Sequence, residues 1–241
     1  MARSVINLQE SEQSIDVVRK GKTRTSEIYG ELRKDILECR LKPGARLRSD
    51  ELKAQYDIGL SPLREALMKL ASDGLVVLEE HKGFRVASVS KSDLLDVTFL
   101  RKELDSTGIK LSIEKGGDRW EANIVAALHE LSRRKKIGDD GLIDSEWEVR
   151  HRAFHYSLVA ACGSPWLLHF RDQLYDLADR YRRLSVQYLQ AARDDLAEHQ
   201  EIASAVLARD TDASVFLIRR HLDATIRIVL AGDPALFDTD Q

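Results

Sequence analysis

The chain has 241 residues, of which 43% are hydrophobic and 32% are charged, and its formal net charge is −3. This composition is typical of a globular protein with a sizeable core, and the mild charge excludes a histone-like protein. Its two cysteines, Cys39 and Cys162, lie far apart, which argues against a disulfide framework or a zinc knuckle. The first 20 residues lack the apolar run of a signal peptide, and no stretch reaches the length of a membrane helix. We therefore expect a cytoplasmic protein without membrane contact.

The patterning divides the chain into four regions. We predict a polar, flexible arm over 1–20, a mixed helix-and-strand domain over 21–88, a helical domain over 91–232 and a tail over 233–241. In the boundary segment ASVSKSDL, Ser90 or Ser92 could cap the next helix. The part before this segment is slightly basic and the part after it is acidic. This asymmetry fits a nucleic-acid-binding domain joined to a different one.

The segment over 21–88 is predicted to form three helices followed by a β-hairpin. SEIYGELRKDIL has Ile28 and Leu32 at helical spacing, and KPG then ends the first helix. RSDELKAQYDI is a second, short helix. The third helix begins in SPLREALMKLASDG, with Ser61 as its predicted N-cap and Pro62 in its first position. LVVLEE and FRVASV, joined by HKG, are predicted strands. This order of elements indicates a winged helix-turn-helix.

A winged helix-turn-helix places its third helix in the major groove of double-stranded DNA, and the hairpin approaches the minor groove or the backbone. Arg64, in the first turn of the third helix, could reach a guanine edge or a phosphate. Taken alone, this arginine is equally consistent with a solvated surface, and the order of the elements favours DNA binding. The predicted DNA contacts are Arg46, Arg48, Ser61, Pro62, Arg64, His81, Lys82 and Gly83.

Six or seven amphipathic helices are predicted over 91–232, which makes the protein mostly α. In EWEVRHRAFHYSL, His151 and His155 are four residues apart and therefore share one helix face. His199 and His221 lie on two later helices. Imidazoles that converge from separate helices could bind Zn²⁺ or Ni²⁺. A single helical histidine is more often a surface or hydrogen-bonded core residue.

The histidine pair does not indicate an enzyme. A zincin has a glutamate directly after its first histidine, and Arg152 occupies that position. The sequence also has no glycine-rich phosphate loop and no Ser/His/Asp arrangement. Catalysis is therefore not expected.

The sequence from ILECRLKPGARLRSDELKAQYDI to GLSPLREALMKLASDGLVVLEEHKGFRV resembles the DNA-binding domain of the GntR family of bacterial transcription regulators. The PG turn, the PLREAL helix and the KGFRV wing match the family pattern in order and spacing. Two positions depart from it. Leu60 stands where most relatives have arginine, and Gly59 stands where serine is frequent. These two departures predict an operator that differs from that of typical relatives.

HRAFHYSLVAACGSPWLL, EHQEIASAVLARD and RRHL resemble the FCD effector domain of the FadR-like subgroup. In that domain an aspartate and three histidines hold a divalent metal, and a small carboxylate binds against it. By motif, the three histidines correspond to His155, His199 and His221, while His151 stands at the position of the aspartate. The resemblance implies an all-histidine metal site or a weaker one.

WEVRHRAFH, CGS, LADRYR and GGDRWEANIV resemble a glutarate-responsive type within this subgroup, which implies glutarate or 2-hydroxyglutarate as the effector. Arg101, in FLRKELD, lies on a helix that faces the pocket in such domains. Arg180 and Tyr181, in LADRYRRL, could supply a guanidinium and a hydroxyl to the effector carboxylate. Each of these residues could equally belong to a surface salt bridge.

Together these features predict a homodimeric transcriptional regulator, a repressor that a small dicarboxylate releases from its operator. The dimer is implied by the resemblance and by the usual match between a two-fold protein and palindromic DNA. The alternative is a regulator of the same family with a purely structural metal and a different small-molecule effector, or none.

Overall fold

The structure, a computed structural model, describes residues 23–184 and 194–232, and the predicted arm and tail lie outside these residues. The described residues are mostly α-helical, as predicted. The elements in chain order are α1 (Arg24–Leu37), β1 (Arg46–Leu47), α2 (Ser49–Gln55), α3 (Leu60–Ser72), β2 (Val76–Glu79), β3 (Gly83–Val86), α4 (Lys91–Lys115), α5 (Asp118–Ser132), α6 (Ser145–Val159), α7 (Pro165–Leu184), α8 (Asp195–Leu207) and α9 (Thr211–Ala231).

Helices α1–α3 and the three strands share one hydrophobic core. Leu32 of α1 and Leu63 of α3 are completely buried there, because each lies on the apolar stripe of its helix. The strands form an antiparallel sheet in the order β1-β3-β2. The hairpin of β2 and β3 was predicted, whereas β1 was not, because a two-residue strand has no alternating pattern to detect.

The predicted ends of α3 are partly correct. The helix begins at Leu60 with Gly59 as its N-cap, so the prediction that Ser61 is the N-cap was wrong. Ser61 instead lies inside the first turn, and Pro62 follows it there. The C-terminal end agrees with the sequence, since Gly74 follows the helix with a φ of +75°, a conformation that glycine adopts without steric cost.

Helices α4–α9 form a bundle around a second core, and these six helices of the described residues agree with the predicted six or seven. Ser90 caps α4 by accepting a hydrogen bond from the backbone N–H of Asp93. Helix α4 packs against α6, α7 and α9, while α5 packs against α6 and α8. No helix in the described ranges combines the length and the apolar composition that a membrane span requires.

Helix α7 connects the bundle with the N-terminal core. Its Leu177 packs against that core, and Arg33 of α1 pairs with Asp176 of α7. The guanidinium of Arg180 donates to the backbone carbonyl of Ala87, between β3 and α4. The same helix therefore contacts both the N-terminal fold and, on another face, the interior of the bundle.

Candidate functional site

The bundle brings four histidines together at its centre. His151 and His155 come from α6, His199 from α8 and His221 from α9. One nitrogen from each ring lies within 4.8 Å of the others, and all four residues are buried. The Nε2 atoms of His151 and His155 are 3.2 Å apart. The two rings share one face of α6, as their spacing predicts.

Polar neighbours orient two of these rings. The hydroxyl of Tyr175 donates to Glu148, and its oxygen lies 2.8 Å from Nδ1 of His151. Nη1 of Arg182 also lies 3.1 Å from this Nδ1, and a guanidinium can only donate hydrogen bonds. Nδ1 of His221 lies 2.8 Å from the Glu198 carboxylate. Such outer partners fix the tautomer and the orientation of histidines that bind metals.

The electrostatics of the cluster favour neutral rings. Burial, followed by the charge of Arg182, holds the pKa of His151 well below its ordinary value. Burial and the other histidines do the same to the pKa of His155. Nδ1 of His155 is buried and has no hydrogen-bond partner among the described residues. Four converging imidazoles, two of which burial keeps neutral, are a donor set that fits Zn²⁺ or Ni²⁺.

A cavity of about 50 Å³ opens beside the histidines. This space is small, which excludes bulky ligands. Three of the four histidines border it, together with polar side chains and an apolar wall that includes Leu94, Ile226 and Val229. The cavity is thus lined by imidazole nitrogens and also by an apolar surface that could contact a short hydrocarbon chain.

Two buried arginines border this cavity, and they differ in how many carboxylates they contact. Arg182 pairs with both Glu148 and Asp179, which neutralise its charge. Arg101 has one aspartate nearby, with 3.8 Å between its Nη2 and Oδ2 of Asp105, and its Nε has no hydrogen-bond partner within the described residues. Burial lowers the pKa of Arg101, although a guanidinium keeps its charge in proteins. Arg101 therefore presents positive charge to the cavity.

The other two predicted effector contacts lie differently. Tyr181 borders the cavity, and its hydroxyl donates to Asp93 at 2.6 Å. Arg180 is not among the residues that line the cavity, because its guanidinium reaches Ala87 instead. Arg182 lies there in its place. Two residues along a helix correspond to about 200° of rotation, so Arg180 and Arg182 face different sides of α7.

Several predicted DNA contacts share one exposed surface. Arg64 of α3 borders a groove together with His81 and Gly83 of the wing tip. Leu60, one turn before Arg64, lines the same groove and is 57% exposed. His81 and Gly83 both have positive φ, which makes the tight turn between β2 and β3.

The remaining predicted DNA contacts are also near this surface. Arg46 of β1 donates to the backbone carbonyl of Lys82 at 3.0 Å, which ties the first strand to the wing tip. Arg48 precedes α2 and pairs with Glu51 at 3.0 Å on an exposed surface. Ser61 is exposed and Pro62 is partly buried in the first turn of α3.

The sequence analysis did not identify three residues that line the cavity or one that hydrogen-bonds to them. The lining residues are Lys136, Tyr175 and Arg182, and Glu148 accepts a hydrogen bond from Tyr175. A signal for two of them exists. Tyr175, Asp179 and Arg182 are spaced by four and three residues, so they form a stripe along α7 whose charged members would not be expected inside a bundle. Lys136 lies in the connection between α5 and α6, where no helical period applies.

The chain matches two protein-family models. Residues 24–86 match the model of bacterial regulatory proteins of the gntR family, and residues 96–224 match the FCD domain. The two matches cover the winged helix-turn-helix and the helical bundle. Proteins that carry these models are transcription regulators, which agrees with the absence of catalytic patterns in the sequence.

Individual proteins give the same assignment. The chain is 40% identical to the HTH-type transcriptional repressor GlaR of Escherichia coli over 205 residues, which cover 83% of this chain and 93% of GlaR. It is 34% identical to the HTH-type transcriptional regulator BphR of Paraburkholderia xenovorans, with 83% of each chain covered. The solved structure of E. coli McbR/YncC shares the fold, with a TM-score of 0.68, 23% identity and coverage of 86% of this chain and 97% of that one.

Proposed function

Because the chain belongs to the GntR family of bacterial regulatory proteins and carries an FCD domain, we propose that it is a homodimeric repressor released from operator DNA by a small dicarboxylate. In this proposal residues 21–88 bind DNA, and residues 91–232 bind the effector and dimerise. One observation carries the effector assignment: buried imidazoles and the buried guanidinium of Arg101 border the same cavity.

The proposed metal is Zn²⁺ or Ni²⁺, since every donor in the cluster is an imidazole nitrogen. The residues that would hold it are His151, His155, His199 and His221. When bound, the ion supplies positive charge that attracts a carboxylate oxygen. The outer partner Glu198 supports this role, because its carboxylate accepts from Nδ1 of His221 and leaves the lone pair of that ring on Nε2.

The proposed effector is a short dicarboxylate, and glutarate and 2-hydroxyglutarate are the first ligands to test. Arg101 would pair with a carboxylate through donors that other side chains leave open. The apolar wall at Leu94 and Val229 would contact the methylene chain. The small volume of the cavity favours a molecule of this size over a larger acid.

A purely structural metal is the second candidate, and the number of histidines favours it. Four imidazoles complete the tetrahedral shell of a structural zinc site, whereas a site that binds a ligand through zinc keeps one position open. In that case the ion would stabilise the bundle, and the effector would contact only the side chains of the cavity or would bind elsewhere.

Release from DNA requires that the effector binds the DNA-free state more tightly than the DNA-bound state. Thermal melting of the purified protein with C4 to C6 dicarboxylates, before and after treatment with EDTA, tests the proposal. At a ligand concentration of 100 times Kd, glutarate should raise Tm by about 5–10 °C. This rise should disappear after chelation.

The variant His221→Ala should lose bound metal and the melting response, while operator binding persists. His129→Ala is the matched control, because His129 is exposed on α5. A large fall in Tm on chelation, without a response to any acid, would favour the structural metal. No metal in the purified protein and no effect of added Zn²⁺ or Ni²⁺ would overturn both candidates.

A further inference from the structure

Seven charged side chains form a continuous series from the DNA-binding fold to the cavity. Arginine and aspartate alternate along it, and consecutive members approach to 3.8 Å or less. In order the members are Arg33, Asp176, Arg152, Asp172, Arg171, Asp105 and Arg101. The series passes through α1, α7, α6 and α4. We call it the arginine–aspartate series.

Its links differ in strength. The carboxylate of Asp176 makes close contacts with both Arg33 and Arg152, and Nε of Arg171 donates to Asp105 at 2.5 Å. The link at Asp172 is loose, because its Oδ1 lies 3.4 Å from Nη2 of Arg152 and 3.7 Å from Nη1 of Arg171. The final link, between Asp105 and Arg101, is 3.8 Å long.

The loose links leave polar atoms open. Within the described residues, no hydrogen-bond partner exists for Arg101 Nε, Asp105 Oδ2, Arg171 Nη1, Arg171 Nη2 or Asp172 Oδ1. A network that served stability alone would be expected to satisfy such buried groups. Because these neighbouring donors and acceptors are not hydrogen-bonded to each other, the arginines and aspartates of the series can exchange partners.

The series also carries one excess positive charge, since it has four arginines and three aspartates. The excess lies at the cavity, because the weakest link is the one to Arg101. A buried guanidinium that lacks a full partner is unfavourable, and an anion in the cavity would complete its pairing. The carboxylate of the proposed effector is such an anion.

We infer that the arginine–aspartate series couples the effector carboxylate at Arg101 to the position of the DNA-binding fold, an inference that rests on the proposed function. A carboxylate on Arg101 leaves Asp105 wholly to Arg171. Because Asp105 then neutralises the charge of Arg171, Asp172 moves away from Arg171 and pairs with Arg152. Asp176 is in turn released from Arg152 toward Arg33 of α1.

The consequence is a stronger contact between α7 and α1 when the effector is bound. This contact would hold the DNA-binding fold against the bundle in a position that does not match the operator. Coupling between distant sites needs elements with two discrete arrangements that both sites bias. The loose links at Asp172 and at Arg101 are where the pairs can exchange.

The test uses the full-length, zinc-loaded protein and the variant Asp172→Asn, which breaks the series in its middle and leaves both ends intact. Operator affinity is measured with and without saturating glutarate, and zinc content and the Kd for glutarate are measured separately. For the wild type, a coupling of about 5- to 150-fold is expected. In the variant this fold-change should shrink by a factor of about 2 to 30, with zinc content unchanged.

Two further variants separate coupling from folding. Asp172→Glu keeps the charge and should retain most of the response. Glu121→Gln removes an ion pair with Arg209 that does not belong to the series, and it should respond as the wild type does. If Asp172→Asn does not fold, Arg33→Gln cuts the series at its partly exposed end in α1 and should show the same loss.

The outcomes distinguish the two levels of the proposal. A wild-type response with an equal response in Asp172→Asn and in Arg33→Gln would overturn the coupling role and leave the proposed function standing. Absence of any dicarboxylate response in the wild type would overturn the proposed function and the coupling with it. Loss of response in both variants, with retention in Asp172→Glu, is the expected result.

Discussion

At the scale of single residues, Leu60 and Arg64 lie on the exposed face of α3 that we propose contacts DNA. They lie four residues apart and line the same groove beside the wing. Arginine can bond a guanine edge with two hydrogen bonds, whereas leucine can only make apolar contact, for example with a thymine methyl group. A leucine in the first turn of α3 is therefore expected to change the preferred bases at its position.

The variant Arg64→Ala should weaken operator binding by about 1–3 kcal/mol if Arg64 contacts a base. The loss should be specific to one base pair of the operator, since a phosphate contact would weaken binding to all sequences equally. Fluorescence anisotropy with the operator and with single-base variants measures both quantities. Arg119→Ala, at an exposed position of α5, is the control. Unchanged affinity for Arg64→Ala would remove it from the interface.

At the scale of secondary-structure elements, α4 depends on a close approach to its neighbours. A Cβ at Gly108 would lie 2.8 Å from Cγ1 of Val159 on α6 and 3.2 Å from Cδ2 of Leu167 on α7. The absence of a side chain here lets α4 pack closely against both helices. Because α4 carries Arg101, the packing at Gly108 also positions one wall of the cavity.

Substitution of Gly108 by alanine should destabilise the protein by about 1–3 kcal/mol, because an added methyl group overpacks the contact with Val159. Gly30→Ala is the matched control. It lies in α1, where an added Cβ would have no atom within 4 Å, so it should stabilise by about 0.5–1 kcal/mol. Denaturant unfolding of both variants measures the difference. Equal stabilities would contradict the close approach.

The same scale explains why Arg180 does not line the cavity. Tyr175, Asp179 and Arg182 form one stripe of α7 that faces Glu148 and the histidines. Arg180 lies on another side and binds the backbone at Ala87. The motif LADRYRRL contains three arginines, and only the packing of α7 determines which of them faces the cavity.

At the scale of the whole molecule, the proposed function requires two chains on one operator. The chain mass is 27.3 kDa, so analytical ultracentrifugation should give twice this value at micromolar concentration. A palindromic operator should bind one dimer, and moving its half-sites apart by half a helical turn should abolish tight binding. A monomer that binds a single half-site with full affinity would contradict the dimeric arrangement.

Local patterns in the sequence were sufficient for much of this protein. Apolar residues at helical spacing and the turn residues Pro43 and Gly74 predicted most of the helices and the wing, because these signals depend only on neighbours along the chain. The spacing of His151 and His155 likewise placed both rings on one helix face. The family resemblance rested on the same kind of short, ordered motif.

Only the tertiary structure shows which residues from different elements meet. His199 and His221 join the α6 pair because α8 and α9 pack beside α6, and no spacing along the chain encodes that distance. The arginine–aspartate series crosses four helices, so its members are scattered from Arg33 to Asp176. Periodicity reports which face of a helix is buried, whereas the partner of that face is decided by how the helices pack against each other.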